Sequence, residues 1–272
     1  MSDVTLTPRS VRSTFRPSLP AGLILGLATA AIFLTLWSVA SARMWVSPVF
    51  LPSPLRVWHA LVRAATDGYA NATLWQHMGA SLWRVIAALA CTMAIGIPAG
   101  LLIATSKIGR GILDPIIEFI RPLPPLAYLP LIIIWCGIGE PSKILVIGIA
   151  MLAPIVISTV AGVRAASESQ IRAARSLGAT PRQLVSTVTL PAALPSILTG
   201  IRIALGAGWT TLVAAELVAA TKGLGYMIQV AAQFLVTDMV IAGILVISAL
   251  ATICEVGLRL IERRFLPWIG KS

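Results

Sequence analysis

The chain has 272 residues, 57% of them apolar and 11% charged, with a net charge of +11 at pH 7. A soluble domain carries about 25% charged residues, so this composition excludes an ordinary soluble protein and describes one that lives in lipid. The positive excess would point to nucleic acid in a soluble chain. Here the arginines gather at the ends of apolar runs, which makes them topology signals and leaves no reason to expect a nucleic-acid partner.

Residues 1–20, with Arg9, Arg12 and Arg16, read as an N-terminal tail. The apolar run that follows ends in Ser41-Ala42-Arg43, an ending that a cleaved signal peptide also shows. Its length and the three arginines before it make it an uncleaved span. Six spans can be drawn, roughly 21–43, 78–106, 113–138, 143–163, 196–219 and 238–260, each at least as long as the ~20 residues a bilayer crossing needs. Residues 21–272 then form a single transmembrane domain, and six crossings leave both termini on one side. With the termini inside, the inner segments hold fourteen lysines and arginines. The outer ones hold five, Arg43, Arg56, Arg63, Lys143 and Lys222. The positive-inside rule therefore places both termini in the cytoplasm. Cys91, Cys136 and Cys254 lie within apolar runs with no CxxC spacing and read as packing residues.

In the outer stretch 44–76, Pro48, Pro52 and Pro54 exclude a regular helix at its start. Leu55, Trp58, His59 and Val62 then fall at i, i+3, i+4 and i+7, the stripe of a short interfacial helix. Trp45, Trp58 and Trp75 fit an aromatic belt. His59 and His77 have no metal-ligand company, so no metal site is expected. Gly96 and Gly100 form a small-xxx-small pattern that lets helix backbones approach, and Gly206 and Gly208 are expected to do the same in the fifth span.

The third span contains "RPLPPLAYLP", residues 121–130, with four prolines and an arginine. Each proline removes a donor from the helix ladder, and the freed carbonyls need protein or water partners in a membrane. This span should be broken and face other helices or a wet cavity.

The loop between the fourth and fifth spans, about 164–195, exceeds an ordinary connector. Residues Ile171 to Leu177 read as helix, with Gly178 suited to a left-handed C-terminal position. A second helix can start at Thr180-Pro181, threonine cap followed by proline, and run to Val188 before Pro191 stops it. Two short helices about a glycine turn make a knob. It could enter a groove on a partner or lie on anionic lipid.

The loop carries a recognisable pattern. Permeases of ABC importers have a cytoplasmic signature of Glu-Ala-Ala, three residues, Gly, nine residues, then Ile-x-Leu-Pro. This chain has Arg172-Ala173-Ala174, Gly178 and Val188-Thr189-Leu190-Pro191 at the same spacing. Arg172 replaces the usual glutamate and Val188 the isoleucine. The chain most resembles the nitrate/sulfonate/taurine branch of that family, the taurine permeases above all. The stretches that carry this include "ATLWQH" (72–77), "RGILDPIIE" (110–118), "RPLPPLAYLPL" (121–131), "IWCGIGEPSKIL" (134–145) and "GWTTLVAAELVAATKGLGYM" (208–227).

The resemblance implies an all-α polytopic membrane protein with the type I ABC importer permease fold, in the bacterial inner membrane. It implies three kinds of partner: a second copy of the same permease, two cytoplasmic ATPase subunits and a periplasmic substrate-binding protein. ATP and Mg would sit on the ATPases; this chain would bind no cofactor and carry no catalytic residue. Coupling would fall to Arg172, Ala173, Ala174, Ser176, Leu177, Gly178, Ala179, Leu190 and Pro191. Taurine or a related alkanesulfonate would be the cargo, with nitrate or another small anion as the alternative.

A charge inside the membrane costs roughly 2.5–3.5 kcal/mol on insertion scales, which singles out Glu216, with Arg121 and Arg84 as further embedded charges. Arg121 could hold a sulfonate with its planar fork of donors, and Glu216 could balance the ammonium of a zwitterion. Alternatively these charges pair with one another or with backbone to hold the bundle together. Trp135, Trp209 and Thr210 complete the expected translocation path. An ion-coupled secondary transporter also suits broken helices and buried charges, but six spans is small for that class and the knob would go unexplained. "GIGEPSK" (137–143) lacks the features of a phosphate loop, and "GLGYMI" (223–228) those of a dinucleotide fingerprint.

Overall fold

The computed structural model describes residues 21–265; the expected tail, 1–20, lies outside them. The chain divides into two compact units at Pro54.

The first unit is built on α1 (Ala21–Ala42), a helix without a single charge. Thr29, Thr35 and Ser38 return their hydroxyls to the carbonyls four residues back, at 2.9, 2.7 and 2.8 Å. A helix in lipid must satisfy its polar groups internally in this way. Trp37 Nε1 donates to the Pro52 carbonyl at 2.9 Å, folding the proline-rich segment back along the end of the helix.

The second unit begins with α2 (Pro54–Thr66), whose packed face is Val57, Ala60 and Ala64. The expected stripe of Leu55, Trp58 and Val62 lies on its exposed face. Small residues let α2 lie close to its neighbours, and the larger apolar ones are left to face outward.

α3 (Leu74–Thr105) starts at a capping box: Thr73 accepts from the Gln76 amide, and the Gln76 side chain accepts from the Thr73 amide. α4 (Lys107–Ile120) is capped by Ser106. The chain then bends by 106° into α5 (Pro125–Cys136), so the proline-rich span is broken as its sequence requires. α6 (Glu140–Arg164) follows, then α7 (Glu168–Ser176). α8 (Pro181–Gln183) passes through a π-helical segment, Leu184–Thr189, into α9 (Leu190–Ala219). α10 (Leu224–Gln233) and α11 (Thr237–Phe265) complete the described chain. Five of these helical stretches are long and apolar enough to cross a membrane, six counting the bent α4–α5 pair as one.

Pro191 does not end a helix, contrary to the sequence expectation. The Leu190 amide bonds to the Val185 carbonyl five residues back, and Pro191 falls in the first turn of α9. A missing amide costs little there. The helix therefore runs from Pro181 to the far end of the fifth span.

Packing fixes the directions of the helices. Gly96 and Gly100 of α3 abut Ile155 and Thr159 of α6, so these two run parallel. Gly200 and Gly208 of α9 abut Ser158 and Met151 of α6, so α9 runs against it. In lipid, apolar side chains gain nothing by leaving solvent for a neighbour, and close backbone approach does the work. A Cβ at Gly100 would stand 2.6 Å from Thr159 Cβ, and one at Gly200 2.4 Å from Ser158 Cβ. Gly206, expected to behave likewise, meets nothing within 4 Å. The core lies where α3, α6 and α9 meet, around Val85, Met151, Ile155 and Leu212. Cys91 and Cys136 are exposed and only Cys254 is partly packed, against the expectation for the first two.

Candidate functional site

Three features occupy different levels of the bundle. At the level of the α4–α5 bend, a cavity of about 600 Å³ opens between the bend, α6 and α9. The break in the span creates it, since helices that turn away from each other leave a gap against α6. Arg121 sits on its wall, as do Tyr128, Ser158, Thr210 and Thr211, among apolar residues such as Ile149, Ile157 and Ile203. Thr210 bonds back to the Ala207 carbonyl at 2.8 Å.

The second feature closes the end of the bundle where α3 and α6 begin and α9 ends. Arg84 is 2% exposed and Glu216 is fully buried. Arg84 Nη1 donates to Glu216 Oε1 at 2.5 Å and to the Lys222 carbonyl at 2.7 Å. Its Nε and Nη2 grip both oxygens of Glu140, at 2.6 and 2.7 Å. Lys143 adds a 3.0 Å contact to Glu140. Glu216 also accepts from Ser81 Oγ at 2.8 Å and from the Gly225 amide at 2.7 Å. That amide lies in the first turn of α10, where helix dipole and free donors favour an anion. His77, buried beside them, accepts from the Gly223 amide through Nδ1 and contacts the Tyr69 carbonyl through Nε2. This fixes a neutral imidazole with its proton on Nε2. Two cations and two carboxylates thus compensate one another across α3, α6, α9 and the turn into α10.

The third feature is the knob at the opposite end. No residue of α7 is buried. Arg172 reaches back to Glu168 at 3.0 Å, an exposed pair one turn apart. The chain reverses at Gly178, whose φ of +81° is left-handed. The Gly178 and Ala179 amides close that reversal onto the carbonyls of Arg175 and Ala174. Thr180 and Gln183 then cap α8 reciprocally. Leu177 stands at the tip, 89% exposed, with Arg172, Ala173 and Ser176 exposed beside it and Ala174 and Ala179 half-buried. Leu190 packs against the core while Pro191 stays exposed.

Of the expected path residues, Arg121 and Thr210 line the cavity and the other three do not. Trp209 is 6% exposed within the core, its Nε1 buried without a hydrogen-bond partner. Trp135 is exposed near the end of α5. Glu216 belongs to the closed end of the bundle and is consumed by Arg84, Ser81 and Gly225. Sequence reading missed Glu140, Ser81, His77, Tyr128, Ser158 and Thr211. The pairing of Glu216 with Arg84 had a signal, because intramembrane charges rarely stand alone; the hydroxyls had none.

A bundle of broken and continuous spans, with a cavity at mid-level and an exposed helical knob at one end, defines a membrane transport subunit. Residues 96–267 match the family model of the binding-protein-dependent transport system inner membrane component, and the chain belongs to that family. It is a multi-pass inner-membrane permease of an ABC transporter. It is 51% identical over 263 residues to the taurine transport system permease protein TauC of Escherichia coli, covering 96% of each chain. It is 37% identical over 232 residues to the putative aliphatic sulfonates transport permease protein SsuC of the same organism, covering 85% of this chain and 87% of that one. Among solved structures, a chain of the inward-facing methionine ABC transporter MetNI superposes with a TM-score of 0.61 at 20% identity. That match covers 71% of this chain and 95% of the other, and carries the fold.

Proposed function

We propose that this chain is the permease of an ATP-driven importer that carries taurine from the periplasm to the cytoplasm. The observation that carries the reading is 51% identity, end to end, with a taurine permease. The working unit is a homodimer of this chain with two cytoplasmic ATPase subunits and a periplasmic binding protein. Both termini and the knob are cytoplasmic. ATP and Mg belong to the ATPases; this chain binds no cofactor and has no catalytic residue.

The knob is the coupling element. Arg172, Ala173, Ser176, Leu177 and Gly178 form its exposed surface, Ala174 and Ala179 sit half-buried beneath them, and Leu190-Pro191 join it to the fifth span. The helix from Pro181 runs without a break into the wall of the cavity at Ile203, Thr210 and Thr211. A push on the knob by closing ATPases is therefore delivered to the cavity along one rod. The π-helical segment is the place where that rod can absorb a change of register. Arg121 faces the passing sulfonate.

The test is ATP hydrolysis by the full complex in liposomes, compared without substrate and with taurine, other alkanesulfonates or nitrate on the binding protein. Stimulation by the taurine-loaded form above the rest is the expected result. Stimulation by another sulfonate would reassign the cargo, and failure to associate with any ATPase would overturn the reading.

A further inference from the structure

We infer that the cavity at the α4–α5 bend is an anion-only subsite: it reads the sulfonate head of its cargo and has no means of recognising an amine. This rests on the reading of the chain as a sulfonate permease and names what its path selects.

Three observations carry it. Among the described residues, the Arg121 guanidinium has no hydrogen bond or ion pair. A guanidinium on an apolar wall with no carboxylate beside it has its donors unspent, and its planar fork matches two oxygens of a sulfonate. The hydroxyl of Thr211, a residue only 4% exposed, lines the same cavity and has no hydrogen-bond partner among the described residues. With Ser158 and Tyr128 it offers the third oxygen a donor. Among the described residues, no aspartate or glutamate lines the cavity.

The carboxylate that could have balanced an ammonium is Glu216, and it is engaged elsewhere. Arg84, Ser81 and the Gly225 amide take up its two oxygens, and a Cβ on Gly223 would stand 2.4 Å from its carboxyl carbon. To turn toward the cavity it would abandon a buried arginine, which costs more than a zwitterion returns by meeting it. The ammonium of taurine is thus left to its own sulfonate and to water. The cavity holds taurine and ethanesulfonate alike. Discrimination by the amine falls to the binding protein.

The experiment is ligand binding to the purified permease–ATPase complex without binding protein, read by saturation-transfer NMR. The probes are taurine, ethanesulfonate and ethylamine. The expected result is saturable binding of the two sulfonates with affinities within about threefold of each other and none of ethylamine. Arg121→Gln should weaken both sulfonates by about ten- to hundredfold, the range for a lost hydrogen bond to a charged group. Arg121→Lys, which keeps the charge and loses the fork, should fall between. The exposed position of Arg121 leaves folding unaffected, which the thermal midpoint of each variant checks. Binding of taurine tenfold or more above ethanesulfonate would overturn the inference. So would binding of ethylamine, indifference to Arg121→Gln, or no saturable binding of either sulfonate. Loss of the taurine reading itself would show in the liposome assay instead, as stimulation by a different cargo, and leaves this result legible.

Discussion

Arg84 Nη1 and Glu216 Oε1 lie 2.5 Å apart inside the bundle, on helices 132 residues separated in sequence. Neither side chain is more than 3% exposed. Taking both ions out of water is expensive, and the attraction between them recovers that cost only when every remaining donor and lone pair is matched. Here every nitrogen of Arg84 is engaged, by Glu216, by Glu140 or by the Lys222 carbonyl, and the second oxygen of Glu216 accepts from a helix amide. The pair therefore fixes how α3, α6, α9 and α10 meet.

Breaking it from one side is worse than never having it. Arg84→Met strands a buried carboxylate, and a loss of about 3–5 kcal/mol is expected. Glu216→Gln leaves Arg84 its grip on Glu140 and should cost less. Both should lower the thermal midpoint and yield of the purified permease, with transport lost in proportion to assembled protein. A Glu216→Gln variant that assembles normally but fails to transport would instead assign the carboxylate to the path.

Gly223 has a φ of +139° and its missing Cβ would sit 2.4 Å from the Glu216 carboxyl carbon. Gly223→Ala meets both penalties, a backbone region closed to other residues and a carboxylate that cannot retreat. It should match or exceed Arg84→Met in lowering the midpoint. A Gly206→Ala control, where nothing lies within 4 Å, should be neutral or slightly stabilising through better helix propensity.

How far the sequence foretold this follows from the range of the forces involved. The six spans were legible because lipid imposes one apolar length on each. The break near Arg121 was legible because proline acts on its own neighbours. The Gly178 turn was legible for the same local reason. Pro191 misled: whether a proline ends a helix depends on the register of amides before it, and the π turn supplies a register the residues do not announce. In lipid the large apolar residues need not turn inward, so Val57, Ala60 and Ala64 pack while Leu55 and Trp58 do not. Glu140 could not be found at all, because only the fold brings it to Arg84.

Gly178→Val tests the knob without touching the bundle. No heavy atom lies within 4 Å of a Cβ there, so the penalty is purely that of the backbone at φ +81°. A β-branched residue does not take that conformation without strain. The thermal midpoint should hold within a degree or two while stimulation of ATP hydrolysis by the loaded binding protein disappears. Gly178→Asn, which tolerates the left-handed region, should keep much of it. Equal activity of the valine variant would remove the glycine turn from the coupling path.

The one partner of Arg172 in the described structure is Glu168, both ends well exposed. An exposed pair of this kind contributes little to stability, so Arg172→Ala should leave the thermal midpoint unchanged. Whatever it alters is then a matter of the partner surface. Arg172→Glu should reduce association with the ATPase at low salt, with the gap to the native chain closing as ionic strength rises, because an exposed charge acts within about 10 Å at 0.1 M salt. Pull-down of the ATPase across a salt series checks this. Tighter association of the glutamate variant would mean that the groove which receives the knob is basic, and that this chain docks through Leu177 and the alanine pair in spite of its arginine.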